Sequence, residues 1–186
     1  MKLLLTILTV LGSLLTNLEQ KTVHSDFTLT VSEEVNAPMH YNGTVTMCGD
    51  RFRLTLFGLE AAYDGQTLYV YSEETDELTL SRPTAEELLE TNPFRYARYM
   101  ADRCHATERT AEDGRTTLVT LTPRDAADGI TRITLRVRTS DGLPLQMELK
   151  EGKRVSTLRL TNPAYVTTTV DYTLQPAENT FVNDLR

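Results

Sequence analysis

Between residues 43 and 81, apolar and polar positions alternate in short runs: Val45 and Met47, then Phe52, Leu54 and Leu56, then Leu68 and Val70, then Leu78 and Leu80. A period of two aims successive side chains at opposite faces of a strand, so the stretch predicts an antiparallel meander with these apolar residues on one face. Asp64-Gly65 is a tight-hairpin dipeptide, because both residues accept the positive φ that a type I′ turn demands. The same alternation occurs at 26–32, where Phe27, Leu29 and Val31 interleave with Thr28 and Thr30, and at 41–47. It returns at 104–110, 117–122, 131–138 (Ile133, Leu135, Val137), 145–150 (Leu145, Met147, Leu149) and 154–161. About ten strands separated by turns predict a mainly β fold, a large antiparallel sheet that curls or closes.

The period changes twice. At 84–90, Thr84 is placed to cap a helix and Glu87 to complete the capping box, with Leu88 behind them. Asn92-Pro93 stops that helix, and 94–101 resumes helical spacing with Phe94, Ala97 and Met100. Near the start, Leu4, Leu8, Leu11, Leu15 and Leu18 fit an amphipathic helix over 4–20. The apolar run from Leu3 to Leu15 is shorter than the ~20 residues a spanning helix requires and is closer to the apolar part of an export signal. The expectation is an export signal running into a first helix, with 1–13 a possible signal remnant and 1–186 a single domain.

Acidic residues outnumber basic ones 26 to 19, a net charge of -7. That balance argues against nucleic acid and anionic lipid surfaces as partners. The two cysteines, Cys48 and Cys104, either pair in an oxidising compartment or remain as small apolar thiols. The sequence carries no G-x-S-x-G, P-loop, G-x-G-x-x-G or H-E-x-x-H pattern. His24, His40 and His105 lie far from any ligand-spaced partner, and the acidic run Glu73, Glu74, Asp76, Glu77 suits a solvated hairpin turn. No catalytic constellation, cofactor or metal site is therefore expected. What remains is the apolar face. Its candidate lining is Phe27, Leu29, Val45, Met47, Phe52, Leu54, Leu56, Leu68 and Val70 from the early strands. Ile133, Leu135, Leu145 and Met147 come from the later strands, and Leu88, Phe94 and Met100 from the short helices. An underfilled concavity of this kind suits acyl chains, each buried CH₂ contributing ~0.8 kcal/mol. The alternative is an ordinary, completely packed core.

The ordered set of segments carries a resemblance. Leu14-Leu15-Thr16-Asn17-Leu18 is followed by Ser25-Asp26-Phe27-Thr28, Gly43-Thr44-Val45, Arg51-Phe52-Arg53-Leu54 and Asp64 to Tyr71; Asn92-Pro93-Phe94, Leu121-Thr122-Pro123-Arg124 and Val182 to Arg186 complete it. This set resembles the LolA-like periplasmic lipoprotein carriers, the Bacteroidota version above all. The resemblance implies an unclosed antiparallel β-barrel whose concave apolar face is covered by an N-terminal helix and a short-helix lid. It implies a monomeric, noncatalytic carrier of acylated lipoproteins. Such a carrier takes its cargo from an inner-membrane lipoprotein-releasing complex, through the periplasm, to an outer-membrane acceptor. Phe52 and Leu54 match the family's aromatic pair on the third strand. The proteobacterial Trp positions are Leu54 and Tyr69 here, and Cys48, Gly49 and Asp50 stand where that pattern has an Arg that holds the lid closed. Two other functions compete: a LolA-like module that senses lipid or lipoprotein in envelope-stress regulation, and a barrel enzyme acting on lipid.

Overall fold

The computed structural model describes residues 9–125 and 129–186. In chain order the elements are helix α1 (Thr9–Gln20) and strands β1 (Thr22–Ser32), β2 (Met39–Cys48), β3 (Arg51–Leu56), β4 (Leu59–Tyr63), β5 (Leu68–Ser72) and β6 (Glu77–Ser81). Helices α2 (Ala85–Thr91) and α3 (Pro93–Ala101) interrupt the sheet. Strands β7 (Cys104–Thr110), β8 (Thr116–Pro123), β9 (Ile130–Arg138), β10 (Pro144–Glu151), β11 (Arg154–Val166) and β12 (Phe181–Asp184) follow. The strands form one sheet of 12 in the order β12-β6-β5-β4-β3-β2-β1-β11-β10-β9-β8-β7, and its two ends do not pair, so the barrel stays open. Two strands go beyond the alternation in the sequence. The middle of β4 carries small residues, Ala61 on the concave face and Ala62 on the convex one, rather than large apolar groups, and β12 lies parallel on β6 from Phe181↔Glu77 to Asp184↔Leu80. That parallel strand covers the backbone edge β6 would otherwise expose.

The register corrects one expectation. Leu78 and Leu80 do not share a face with Leu68 and Val70, because β5 and β6 pair Tyr71↔Leu78 and Tyr69↔Leu80. Directly opposed residues point to the same face, so these leucines join Tyr69 and Tyr71 on the convex side. There they form a second cluster with Ala62 and Leu174 from the chain that leads to β12. Arg51 stacks on Tyr172 of the same segment, 5.0 Å from the ring centroid.

The main core lies on the concave side. Leu11, Leu14 and Leu18 of α1 are buried at spacings of three and four, as a helical stripe requires. They pack in one cluster with Ile133, Leu135 and Val137 of β9 and with Ala97 and Met100 of α3. Leu4 and Leu8, the other members of the predicted leucine stripe, lie outside the described residues. The end of α1 is fixed by Gly49 N–H donating to the Leu18 carbonyl at 2.7 Å. Both cysteines are free thiols, which corrects the pairing considered for them. Cys48 ends β2, with its sulfur 3.7 Å from the Glu19 carbonyl, whereas Cys104 starts β7, which pairs with β8 at the far end of the sheet.

One glycine is demanded by close approach. A Cβ on Gly43 would stand 2.0 Å from the Thr55 carbonyl oxygen and 2.8 Å from the Phe27 ring. Gly43 is directly opposite Phe27 in the β1–β2 register. The bare backbone therefore lets that ring lie flat across the strand.

Candidate apolar ligand cavity

Between the concave face and the α2–α3 segment lies a cavity of about 640 Å³. Three consecutive strands build one wall: Phe27, Leu29 and Val31 from β1, Val45 and Met47 from β2, and Phe52, Leu54 and Leu56 from β3. Alternation along each strand explains why it is these residues. Met147 and Leu149 of β10, Leu158 of β11 and Ile130 line the opposite side. Leu89, Phe94 and Tyr96 of the helices roof the space, and Thr91, Asn92, Glu151, Arg154 and Ser156 add polar groups.

The wall is not a sealed core. Leu29, Val45, Leu54, Leu56, Leu149 and Leu158 are only half-buried although they point inward from mid-strand. On β9, by contrast, Ile133, Leu135 and Val137 are 0% exposed. Inward-facing apolar side chains that retain accessible surface mean unoccupied apolar space, and such space gains from any alkyl group that fills it.

The roof is built by two linked caps. Thr84 and Glu87 form the reciprocal capping box of α2, with Thr84 N–H donating to Glu87 at 2.7 Å and Glu87 N–H donating to Thr84 Oγ1 at 3.2 Å. Asn92 then caps α3, its Oδ1 accepting from Phe94 N–H and Arg95 N–H at 3.1 Å each. Two arginines of α3 tie the roof down. Arg95 pairs with Asp50 in the β2–β3 turn at 2.7 Å, and Arg98 pairs with Glu19 of α1 at 3.3 Å. The contact between roof and sheet thus runs from a roof arginine to a sheet carboxylate, at the segment where the resembled pattern has an arginine on the sheet.

Of the residues the sequence nominated, Phe27, Leu29, Val45, Met47, Phe52, Leu54, Leu56, Phe94 and Met147 come together around this cavity. Leu88, Met100, Ile133 and Leu135 do not line it and are buried in the main apolar cluster instead. Leu68 packs at the edge of that cluster, and Val70 is half-buried further along β5. Leu145 falls where the β9–β10 register slips between Pro144 and Gln146, and the slip buries Pro144 instead. Val31 and Leu149 carry the same alternation and line the cavity as well. The polar lining, Asn92, Glu151 and Arg154 above all, has no periodic signature and was not legible beforehand.

Glu151 and Arg154 oppose each other at the end of the β10–β11 pair. Among the described residues neither appears in an ion pair within 4.0 Å, although eight other pairs do. Below the cavity, burial pushes the Tyr63 phenol up, against the opposing pull of Arg95. Among the described residues no three of His, Cys, Asp and Glu are gathered as a metal site would need, and no helix is long and apolar enough to cross a membrane.

No family model matches the chain, and no curated protein matches it either. Solved structures do. An uncharacterized conserved protein from Thermus thermophilus aligns with a TM-score of 0.62 at 13% identity, covering 94% of this chain and 96% of that one. MucB, in the MucA/MucB complex of Pseudomonas aeruginosa, aligns with a TM-score of 0.51 at 16% identity over 87% of this chain and 58% of that one. A LolA superfamily protein from Nitrosomonas europaea aligns with a TM-score of 0.42 at 12% identity over 86% of this chain and 93% of that one. At these identities the first two establish a shared fold: a mainly β, unclosed, curled sheet with a helical cover.

Proposed function

We propose that this chain is a noncatalytic carrier of the LolA-like, Bacteroidota type, which shelters the acyl chains of lipoproteins in its apolar cavity and shuttles them across the periplasm. The observation that carries the reading is the cavity itself, about 640 Å³ with half-buried leucines and a valine pointing into it. Transfer of alkyl surface from water into such a space needs no directional partner, so the site suits cargo that differs in its protein part and shares its anchor. The roof, held by exposed or half-exposed ion pairs at Arg95 and Arg98, costs little to displace. A donor complex in the inner membrane and an acceptor in the outer membrane complete the route by resemblance, with no cofactor and no catalytic step. The test is release of acylated lipoprotein from spheroplasts into a soluble 1:1 complex with the added protein. Lipoprotein that stays membrane-bound at saturating carrier defeats the reading.

A second reading is a LolA-like module that binds lipid or lipoprotein and reports it to a regulatory partner. The fold likeness to MucB, solved in complex with MucA, is the observation in its favour. Affinity capture of a membrane-anchored regulator in place of lipoprotein would favour this reading over the carrier.

A further inference from the structure

The sheet has two open edges, and they differ in character. At one end β7 meets solvent with His105, Thr107 and Arg109, none of them a large apolar group. At the other end stands β12, where Phe181 is 65%, Val182 44% and Leu185 64% exposed. Three of the eight most exposed large apolar residues among the described residues thus fall within five consecutive positions on one edge. Charged side chains protect an edge, whereas exposed apolar ones invite a further strand.

The backbone of β12 also has groups that the sheet leaves without a partner strand. Phe181 N–H donates to the Asp76 carbonyl at 3.0 Å and Leu185 N–H to the Leu80 carbonyl at 2.8 Å. Backbone groups alternate in direction along a strand, so Phe181, Asn183 and Leu185 turn theirs toward β6. Val182 and Asp184 turn theirs outward, where the strand order places no neighbour. The side chains alternate too. Phe181, Asn183 and Leu185 lie on the concave side with Glu77 and Thr79, and Val182 and Asp184 on the convex side with Leu78 and Leu80.

This edge is complementary to itself. A second copy laid antiparallel pairs outward residues only with outward residues, which leaves three registers centred within the strand. Centring on Asp184 opposes two carboxylates, and centring on Val182 sets Phe181 against Asn183 and Leu185 against Asn179. Centring on Asn183 pairs Val182 with Asp184 twice, which satisfies every outward N–H and C=O of both strands. It also sets Phe181 against Leu185 twice, both on the concave side and at the closer of the two antiparallel spacings. Asp184, the one carboxylate on β12, already has its charge matched by Arg186 at 2.8 and 2.6 Å, so the acidic surplus of the chain stays out of the contact.

We infer that β12 is a self-association edge: two copies of this chain pair β12 antiparallel to β12 about a two-fold axis at Asn183, with Phe181 of each against Leu185 of the other. The axis stands perpendicular to the sheet, so one sheet runs through both copies and both concave faces look to the same side. The association holds whatever ligand the cavities take.

The experiment uses the full chain, followed by sedimentation velocity and native mass spectrometry. One four-residue strand per copy is a small contact beside the ~1,200 Å² of a stable interface, so the range needed is about 10 µM to about 1 mM. The wild-type protein forms a dimer whose fraction rises with concentration. Val182→Pro deletes an outward N–H and no bond to β6, so the melting temperature holds while dimerisation weakens by about tenfold or more. Phe181→Ala, which acts twice in the dimer, weakens it by about two- to thirtyfold and serves should the proline variant fold poorly. Cysteine scanning in a Cys48→Ser background reads the register. Asn183→Cys gives a disulfide-linked dimer under mild oxidation, because the Cα atoms on the axis lie about 4.5 Å apart, and Val182→Cys does not. A chain that stays monomeric across the range, with its edge free or taken by another protein, overturns the inference. So does a Val182→Pro dimer as tight as wild type, or cross-linking through position 182 in place of 183.

Discussion

Substitution of Leu54 by glutamate separates a ligand cavity from an ordinary core. Leu54 lies mid-strand on β3 and lines the cavity, yet it is only half-buried. Complete burial of a leucine contributes ~1.5–3 kcal/mol, so losing this half-buried side chain costs about 1 kcal/mol, and the carboxylate stays hydrated through the open space. The matched control is Leu135→Glu, at a residue 0% exposed in the same concave cluster. There the carboxylate has no route to water and costs several kcal/mol, a large share of a typical total of ~5–15 kcal/mol. With a urea slope of ~2 kcal/mol per M, Leu54→Glu shifts the midpoint by about 0.5 M, whereas Leu135→Glu leaves little folded protein. In parallel, Leu54→Glu abolishes capture of acylated lipoprotein from spheroplasts. Two results refute the reasoning: a Leu54→Glu protein as unfolded as the Leu135 variant, or a folded one that still carries cargo.

The Asp50→Asn and Arg95→Ala variants each lose a partly exposed ion pair, so stability falls by less than about 1 kcal/mol while ligand exchange, followed by stopped flow, becomes faster. Gly43→Ala forces a Cβ to 2.0 Å from the Thr55 carbonyl; the strands must separate, and thermal melting registers a loss of ~1–3 kcal/mol. Burial raises the pKa of the Cys104 thiol, against the opposing pull of Arg124. Alkylation of the native protein therefore modifies Cys48 first, and a reductant leaves the melting temperature unchanged because both thiols are free. Asp113 is held below the usual carboxylate range by Arg115 N–H and the Thr116 hydroxyl and N–H, and Asp184 by Arg186, down to about 2. Both shifts are downward, so the native state binds fewer protons than the unfolded one; the contribution is present above the ordinary carboxylate range and is lost as pH falls below it, for Asp184 as pH falls through about 2. Asp113→Asn flattens that acid limb in a pH series of denaturant midpoints, and an unchanged limb counts against the assignment.

Side-chain alternation alone determined that this chain is a curled antiparallel sheet, because a period of two leaves little choice for Phe27-Leu29-Val31 or Ile133-Leu135-Val137. Local chemistry likewise determined the capping box of α2 and the stop at Asn92, since both depend on residues within one helical turn. Alternation says which residues share a face of one strand and nothing about how neighbouring strands are registered. The β5–β6 pairing therefore decided that Leu78 and Leu80 belong to the convex cluster, and the β9–β10 slip decided the place of Leu145. The same limit applies at depth. Leu54 and Leu135 read alike in sequence, and only tertiary packing leaves one beside open space and seals the other in the cluster with α1 and α3. Asn92 shows the limit for polar groups. Its type and position specify the cap, but tertiary packing alone placed the capping residue in the lining of the cavity.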